Sequence, residues 1–146
     1  MIIRQQAQAR WNGGLREGSG TFRSGTVEGE YSFGSRFEGG AGSTPEGLIG
    51  AAHAACFSMA VSLFLEQQGH TADAIRTTAT VHLDPKQLAI TRIELDTEAD
   101  VPGLAESEFS TIAEQARTNC PVSKALSGIP LDLKSAKLTR VTAGRA

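Results

Sequence analysis

The pattern of apolar and polar positions begins with a strand-like alternation at the N-terminus. Residues 2–11 alternate between apolar and polar side chains, and this period of two predicts a half-buried strand. The segment that follows, residues 12–42, is rich in glycine. Short strands at residues 21–23 and 31–33, joined by glycine turns, are the simplest structure for such a segment.

A long apolar run follows, from residue 48 to residue 65, and it is apolar on nearly every side of a helical projection. It predicts a long helix that is buried all round. Ser43 and Glu46 match the S-x-x-E pattern of a capping box at its start, and Pro45 suits its first turn. We read no stretch as reaching the roughly 20 apolar residues that span a bilayer, so no membrane association is expected.

Alternation returns in the second half of the chain. Residues 75–83 and 88–97 predict two strands separated by a turn. Apolar residues at helical spacing then predict an amphipathic helix over residues 106–118, a short helix over residues 122–126 and a last strand around residues 129–133. This order of elements favours an α+β fold with an antiparallel sheet.

The bulk properties of the chain limit its organisation and its partners. Its 146 residues fit one domain, which we place at residues 1–138, followed by a frayed tail at residues 139–146. The net charge of −2 and the lack of a long basic run argue against nucleic acid as a partner. The N-terminus lacks the apolar core of a signal peptide, so a cytoplasmic location is expected. In that reducing compartment a disulfide is more often catalytic than structural.

The two cysteines, Cys56 and Cys120, are the best candidates for chemistry. Cys56 lies in the middle of the apolar helix, where burial raises the pKa of a thiol unless a cation reaches it. Cys120 precedes a proline at the start of the short helix, where partial positive charge favours a thiolate. The residues alone do not settle which cysteine attacks a substrate. The cysteines are far apart in the sequence and have no paired histidine ligands nearby, so we predict no metal site.

Three stretches of the sequence carry a resemblance to a known family. They are Arg36-Phe37-Glu38-Gly39, the helical segment STPEGLIGAAHAACFSMA at residues 43–60, and Asn119-Cys120-Pro121-Val122-Ser123. Together they resemble the osmotically inducible protein C and organic hydroperoxide resistance (OsmC/Ohr) family, and most closely its OsmC branch, over essentially the whole chain. The resemblance implies antiparallel sheets wrapped around a long buried central helix. It also implies an intertwined homodimer with active sites at the subunit interface.

The same resemblance assigns four residues to catalysis. Cys56 corresponds to the peroxidatic thiol and Cys120 to the resolving thiol. Arg36 corresponds to the cation that stabilises the thiolate, and Glu46 to the acid that holds this arginine. Three other N-terminal arginines remain alternatives to Arg36: Arg10, Arg16 and Arg23.

The activity that the resemblance implies is thiol-dependent reduction of organic hydroperoxides, alkyl or fatty-acid, as a protection against oxidative stress. Cys56 becomes a sulfenic acid, which Cys120 converts to an intramolecular disulfide. No cofactor is expected, and an external dithiol of lipoyl or thioredoxin type reduces the disulfide. Two other hypotheses remain: a redox-sensing or small-molecule binding protein of the same fold, and a dimeric structural protein with two buried thiols.

The spacing of the motif residues adds a geometric prediction. Glu46 and Cys56 are ten residues apart, which corresponds to ~15 Å along one unbroken helix. We therefore predict that the carboxylate or the arginine beside each Cys56 comes from the partner subunit. His53 lies one turn before Cys56, and it either pairs with the thiol or is satisfied by a backbone or interface partner. Several large apolar residues are expected mainly to pack in the core, with one or two lining a substrate pocket: Phe33, Phe37, Phe57, Met59 and Phe64.

Overall fold

The computed structural model describes residues 1–139 of the chain. Its contacts divide the chain into two compact units, Met1–Leu48 and the part from Ile49 onward, and each contains a three-stranded sheet. The α+β class predicted from the sequence is confirmed. The single domain over residues 1–138 stays a prediction. Of the predicted tail, Thr139 donates its N–H to the carbonyl of Ala99 (2.7 Å), and the remainder lies outside the described residues.

The first unit is built on three antiparallel strands: β1 (Gln8–Asn12), β2 (Ser19–Ser24) and β3 (Val27–Tyr31). The first strand is shorter than the one predicted for residues 2–11. Gln8 pairs with Arg23 near the end of β2, so the residues before Gln8 have no partner in that strand. Ile2 and Ile3 are consequently exposed.

Gly20, in the middle strand of this sheet, allows two aromatic rings to meet. It pairs with Trp11 on one side and with Tyr31 on the other, and the centroids of these rings are 5.5 Å apart. A Cβ atom at Gly20 would collide with both rings. A glycine within a strand commonly marks such a close approach.

A short helix, α1 (Phe33–Phe37), follows β3 and was not predicted from the sequence. Ser32 caps it: the Ser32 hydroxyl accepts the N–H of Ser35, and the Ser35 hydroxyl accepts the N–H of Ser32, both at 2.9 Å. The box uses serine where the usual pattern has Glu or Gln, which is why the pattern gave no signal. The helix carries Arg36 in its last turn.

The long helix α2 (Pro45–Gln67) continues into the second unit. This unit also contains β4 (Ala74–Asp84), β5 (Ala89–Asp100), α3 (Glu106–Asn119), α4 (Pro121–Ala125) and β6 (Leu131–Leu138). These bounds agree with the predicted elements to within a few residues, except that β6 continues further. One strand pair departs from the antiparallel arrangement, because β6 runs parallel to β5. The helices α3 and α4 form the crossover connection that a parallel pair requires.

The core of the second unit contains one side of α2. Phe57, Val61 and Leu65 recur at every fourth position of the helix and are fully buried. They belong to a cluster with residues from β5, α3 and the segment after each: Ile93, Leu95, Ala99, Val101, Phe109, Ile112, Ala113, Ala116 and Cys120. Cys120 is therefore packed inside the apolar core.

The other side of α2 remains uncovered. Met59 is 77% exposed and Leu63 is 51% exposed. Residues 1–139 of one chain therefore bury only one side of the helix that the sequence predicts to be buried all round. Exposed apolar residues that lie together on one surface are typical of an interaction site.

The length and composition of α2 correct one expectation from the sequence. The helix has 23 residues and an apolar window of mean hydropathy 1.9, so by these criteria alone it is long and apolar enough to cross a membrane. A single helix of this kind is weak support for a membrane span. The core helix of a soluble protein has the same length and composition.

The start of α2 also differs from the prediction. Thr44, and not Ser43, is the N-cap: its hydroxyl accepts the N–H of Gly47 (2.8 Å) and its carbonyl accepts the N–H of Leu48 (3.0 Å). Pro45 occupies the first helical position, as expected. The predicted capping box does not form, because the Glu46 carboxylate binds Arg36 instead.

The capping assignment gives a stability prediction. Thr44→Ala removes the N-cap hydroxyl and should lower the free energy of unfolding by about 1 kcal/mol. Ser43→Ala is the matched control, because the Ser43 interactions with Glu30 and Ser35 use its backbone N–H and carbonyl. This control should change stability by less than about 0.5 kcal/mol. Urea unfolding measures both values, and a larger loss in Ser43→Ala would contradict the assignment.

Candidate active site

The structure brings the two cysteines together within one chain. Their Sγ atoms are 2.9 Å apart and share a hydrogen bond. Both are free thiols, since a disulfide bond would place the sulfurs about 2.05 Å apart. Cys56 is half-buried and Cys120 is fully buried. Two cysteines that are 64 positions apart in the sequence thus lie side by side as free thiols.

The sequence Asn119-Cys120-Pro121 determines where Cys120 lies. Proline has no N–H and disfavours helical backbone in the residue before it, so α3 ends at this point. Cys120 has an extended backbone (φ −62°, ψ 130°) and is at once the C-cap of α3 and the N-cap of α4. Its carbonyl accepts the N–H of Lys124 at 3.0 Å. The predicted position of Cys120 at the start of the short helix is confirmed.

The surroundings of Cys56 oppose its ionisation. Burial raises the pKa of the Cys56 thiol, and the hydrogen bond with Cys120 acts in the same direction. The backbone N–H of Val122 acts in the opposite direction, but the pKa of Cys56 remains raised. A thiolate at this position therefore needs an additional positive charge.

Arg36 and Glu46 form a forked ion pair in the first unit. The Arg36 Nη2 atom lies 2.6 Å from Oε1 of Glu46, and Nε lies 2.9 Å from the same oxygen. Glu46 is buried, whereas 39% of the Arg36 side chain is exposed. The pair joins α1 to the first turn of α2. The buried carboxylate holds one edge of the guanidinium, and the remaining N–H groups stay available for another acceptor.

Two of the three alternative arginines make other contacts, and the third is exposed. Arg10 donates from Nε to Oδ1 of Asn12 (3.0 Å), and the Arg16 guanidinium stacks 4.6 Å from the ring centroid of Phe33. Arg23 is exposed on β2. In the part of the chain that the structure describes, Arg36 is the arginine that binds Glu46. This geometry favours Arg36 among the four candidates for the arginine that Glu46 holds.

A cavity of about 260 Å³ lies beside Arg36 in the first unit. Its lining is mainly aromatic and consists of Trp11, Leu15, Tyr31, Ser32, Phe33, Arg36 and Phe37. Two of the five residues proposed for a pocket, Phe33 and Phe37, line this cavity. Phe57 is in the core, Phe64 packs against it and Met59 is exposed. Sequence reasoning missed the contributions of Trp11 and Tyr31, which depend on the pairing of both residues with Gly20.

His53 forms a hydrogen bond with Ser123, and not with Cys56, the partner that its position one turn earlier in α2 suggested. Its Nε2 atom lies 2.7 Å from the hydroxyl oxygen of Ser123, and both side chains are buried. This contact agrees with the alternative of a histidine satisfied by a polar partner, here a side chain of α4. Burial lowers the pKa of His53, so the ring is neutral. Among residues 1–139, no group of three or more His, Cys, Asp or Glu side chains is arranged to hold a metal ion.

Comparisons with known proteins give the family. Residues 38–134 match the sequence profile of the OsmC-like protein family. The chain is 48% identical over 131 residues to "Peroxiredoxin OsmC" of Escherichia coli K12, which covers 86% of this chain and 92% of that protein.

Solved structures with the same fold cover nearly the whole chain. An OsmC-like protein from Mycoplasma pneumoniae superposes with a TM-score of 0.73 at 18% identity, over 97% of this chain and all of that one. An organic hydroperoxide resistance protein OsmC from Legionella pneumophila superposes with a TM-score of 0.66 at 25% identity, over 94% of this chain and all of that one. With the family profile matched over residues 38–134 and 48% identity to the E. coli relative, the chain belongs to the OsmC-like protein family.

Proposed function

We propose that this protein is a thiol-dependent peroxidase that reduces organic hydroperoxides through Cys56 and Cys120. The observation that carries the proposal is the 2.9 Å separation of the only two sulfhydryl groups in the sequence. A peroxide-related redox role is supported by the names of two relatives, the peroxiredoxin of E. coli and the organic hydroperoxide resistance protein of Legionella. The function is protection of the cell against oxidative stress.

In the first step the Cys56 thiolate attacks one oxygen of the peroxide bond. An S–O bond forms and the O–O bond breaks, which oxidises the sulfur to a sulfenic acid. The leaving alkoxide takes up a proton and departs as an alcohol. A guanidinium beside the reacting atoms stabilises both the thiolate and the alkoxide, because it stays charged at any cellular pH.

In the second step Cys120 attacks the sulfenic sulfur of Cys56. An S–S bond forms and the oxygen leaves as water, so no further oxidant is required. An external dithiol of lipoyl type then reduces the disulfide and is itself oxidised to a disulfide. Because Cys56 is half-buried and Cys120 is fully buried, exchange begins at the Cys56 sulfur.

The cation in this proposal is Arg36, oriented by Glu46. The raised pKa of Cys56 means that the thiol needs such a charge, and the forked pair presents a guanidinium with free N–H groups. Ten helical residues between Glu46 and Cys56 rise ~15 Å, so the pair that serves each Cys56 belongs to the partner subunit of a homodimer. The exposed Met59 and Leu63 support this assembly, since a second copy would cover them.

The substrate class follows from the aromatic cavity. A volume of about 260 Å³ with an aromatic wall and one arginine suits an alkyl or fatty-acid hydroperoxide better than hydrogen peroxide. The apolar part of the substrate would pack on Phe33 and Phe37. The peroxide group would lie toward Arg36.

Substitution of each cysteine tests the two chemical steps. We expect Cys56→Ser to abolish steady-state consumption of tert-butyl hydroperoxide. We expect Cys120→Ser to consume one equivalent and stop at the sulfenic acid, because no resolving thiol remains. Parallel assays with dihydrolipoamide and with a thioredoxin system measure turnover and identify the donor. Retained turnover in Cys56→Ser would refute the proposal, and wild-type oxidation without multiple turnover would indicate a redox sensor.

Replacement of the cation tests the origin of the reactivity. Arg36→Lys should lower the rate of Cys56 oxidation roughly 100-fold, since lysine lacks the fork that holds two acceptors. It should also move the midpoint of Cys56 alkylation to higher pH, because a positive charge that is no longer held beside the sulfur stabilises the thiolate less. Arg76→Lys is the matched control, since its ion pair with Glu98 is exposed. Equal rates of Cys56 oxidation in Arg36→Lys and wild type would exclude Arg36 as the cation that stabilises the thiolate, and another arginine would then have this role.

Mixed dimers decide between a site within one chain and a shared site. One chain carries Arg36→Met and the other carries Cys56→Ser, so each is inactive by itself. If the arginine comes from the partner, the mixed dimer places an intact Arg36 beside an intact Cys56 and should recover about half of the wild-type activity. Analytical ultracentrifugation establishes the dimer first. A mixed dimer without activity, or a monomeric and fully active wild type, would overturn the shared site.

A further inference from the structure

We infer that His53 and Ser123 are positioning residues for the resolving cysteine, an inference that rests on the function proposed above. Their hydrogen bond holds α4 against α2, so that Cys120 remains within reach of Cys56 while that sulfur is oxidised. The bond is short, at 2.7 Å between Nε2 and Oγ. It is also protected from water, because His53 is 0% exposed and Ser123 is 3% exposed.

The hydrogen bond and the sulfur pair have matching positions on the two segments. His53 precedes Cys56 by one turn of α2, and Ser123 follows Cys120 by one turn at the start of α4. His53, which precedes Cys56 in α2, therefore contacts Ser123, which follows Cys120 in the segment that contains α4. Two side-chain contacts thus join α2 to this segment: His53 with Ser123, and Cys56 with Cys120. Two contacts fix the position of the segment along α2, which a single contact would not do.

The environment of His53 makes Ser123 its essential partner. The second ring nitrogen, Nδ1, is buried and has no hydrogen-bond partner among the described residues. Ser123 therefore supplies the hydrogen bond that compensates for burying the ring. A buried polar group that loses its partner costs more than an average hydrogen bond contributes. The contact consequently resists opening when the neighbouring sulfurs move.

The chemistry of the thiol pair requires such a restraint. Oxidation adds an oxygen to the Cys56 sulfur, whose neighbour, the Cys120 sulfur, is only 2.9 Å away. The sulfurs must first separate and then approach to about 2.05 Å as the disulfide forms and water leaves. With Ser123 held by His53, Cys120 moves only a short way and returns. Without that hydrogen bond, the sulfenic acid persists longer, and a second peroxide can oxidise it to a sulfinic acid.

The test separates formation of the sulfenic acid from its resolution. In Ser123→Ala, rapid-mixing experiments with tert-butyl hydroperoxide should show an unchanged rate of sulfenic acid formation and about tenfold slower disulfide formation. Mass spectrometry should show more Cys56 sulfinic acid. Ser123→Thr keeps the hydroxyl and should restore fast resolution. A merely structural defect would slow both steps.

Ser58→Ala is the matched control. The Ser58 hydroxyl also binds from α2, but to Thr77 on β4 (2.8 Å), so its loss weakens α2 without affecting α4. This variant should resolve at the wild-type rate. If Ser58→Ala and Ser123→Ala slow resolution equally, the effect is a general loss of packing and the inference is overturned.

A second measurement does not depend on peroxide. Equilibration of the Cys56–Cys120 disulfide with dithiothreitol should give an equilibrium constant for disulfide formation about tenfold lower in Ser123→Ala than in wild type. Equal constants together with equal resolution rates would overturn the inference while leaving the peroxidase intact. If the wild type forms no sulfenic acid, the proposed function fails instead, and the dithiothreitol constant still decides the role of Ser123.

Discussion

A sulfur atom inside an apolar helix is a weak nucleophile until a fixed positive charge accompanies it. Burial raises the pKa of Cys56, and the hydrogen bond with Cys120 adds to this effect. The same apolar surroundings make any compensating charge more effective, because an ion pair is screened less in the absence of water. In the proposed mechanism the forked pair of Arg36 and Glu46 supplies this charge, with the carboxylate buried and the guanidinium that it holds partly exposed.

Packing of the core and closeness of the sulfurs have a common origin. Phe57 and Phe109 are both fully buried in the cluster that also contains Cys120. Side-chain packing within this cluster therefore brings position 56 toward the end of α3. The proline after Cys120 ends that helix at the point of contact. The closeness of the two thiols thus depends on the same side-chain packing that stabilises the second unit.

The sequence predicted the features that depend on local pattern and missed those that depend on pairing. The bounds of α3 and β4 follow from apolar periodicity, and the family motif brought Cys56 and Cys120 together in one hypothesis. By contrast, α1 has a serine capping box that the usual pattern does not describe, and the aromatic cavity depends on strand register. The contact of His53 with Ser123 joins residues 70 positions apart, which no local pattern reveals. Burial of both sides of α2 was expected from composition, but the described residues of one chain leave Met59 and Leu63 exposed.

The uncovered side of α2 would make folding of the protein depend on its concentration in the cell. Under the proposed assembly, every newly made copy displays Met59 and Leu63 until it meets another copy. Completion of folding then becomes a second-order process, which proceeds slowly when copies are scarce and quickly when synthesis is high. The amount of chain present would thereby set the proportion that is competent for catalysis, so that a burst of synthesis raises activity more than in proportion.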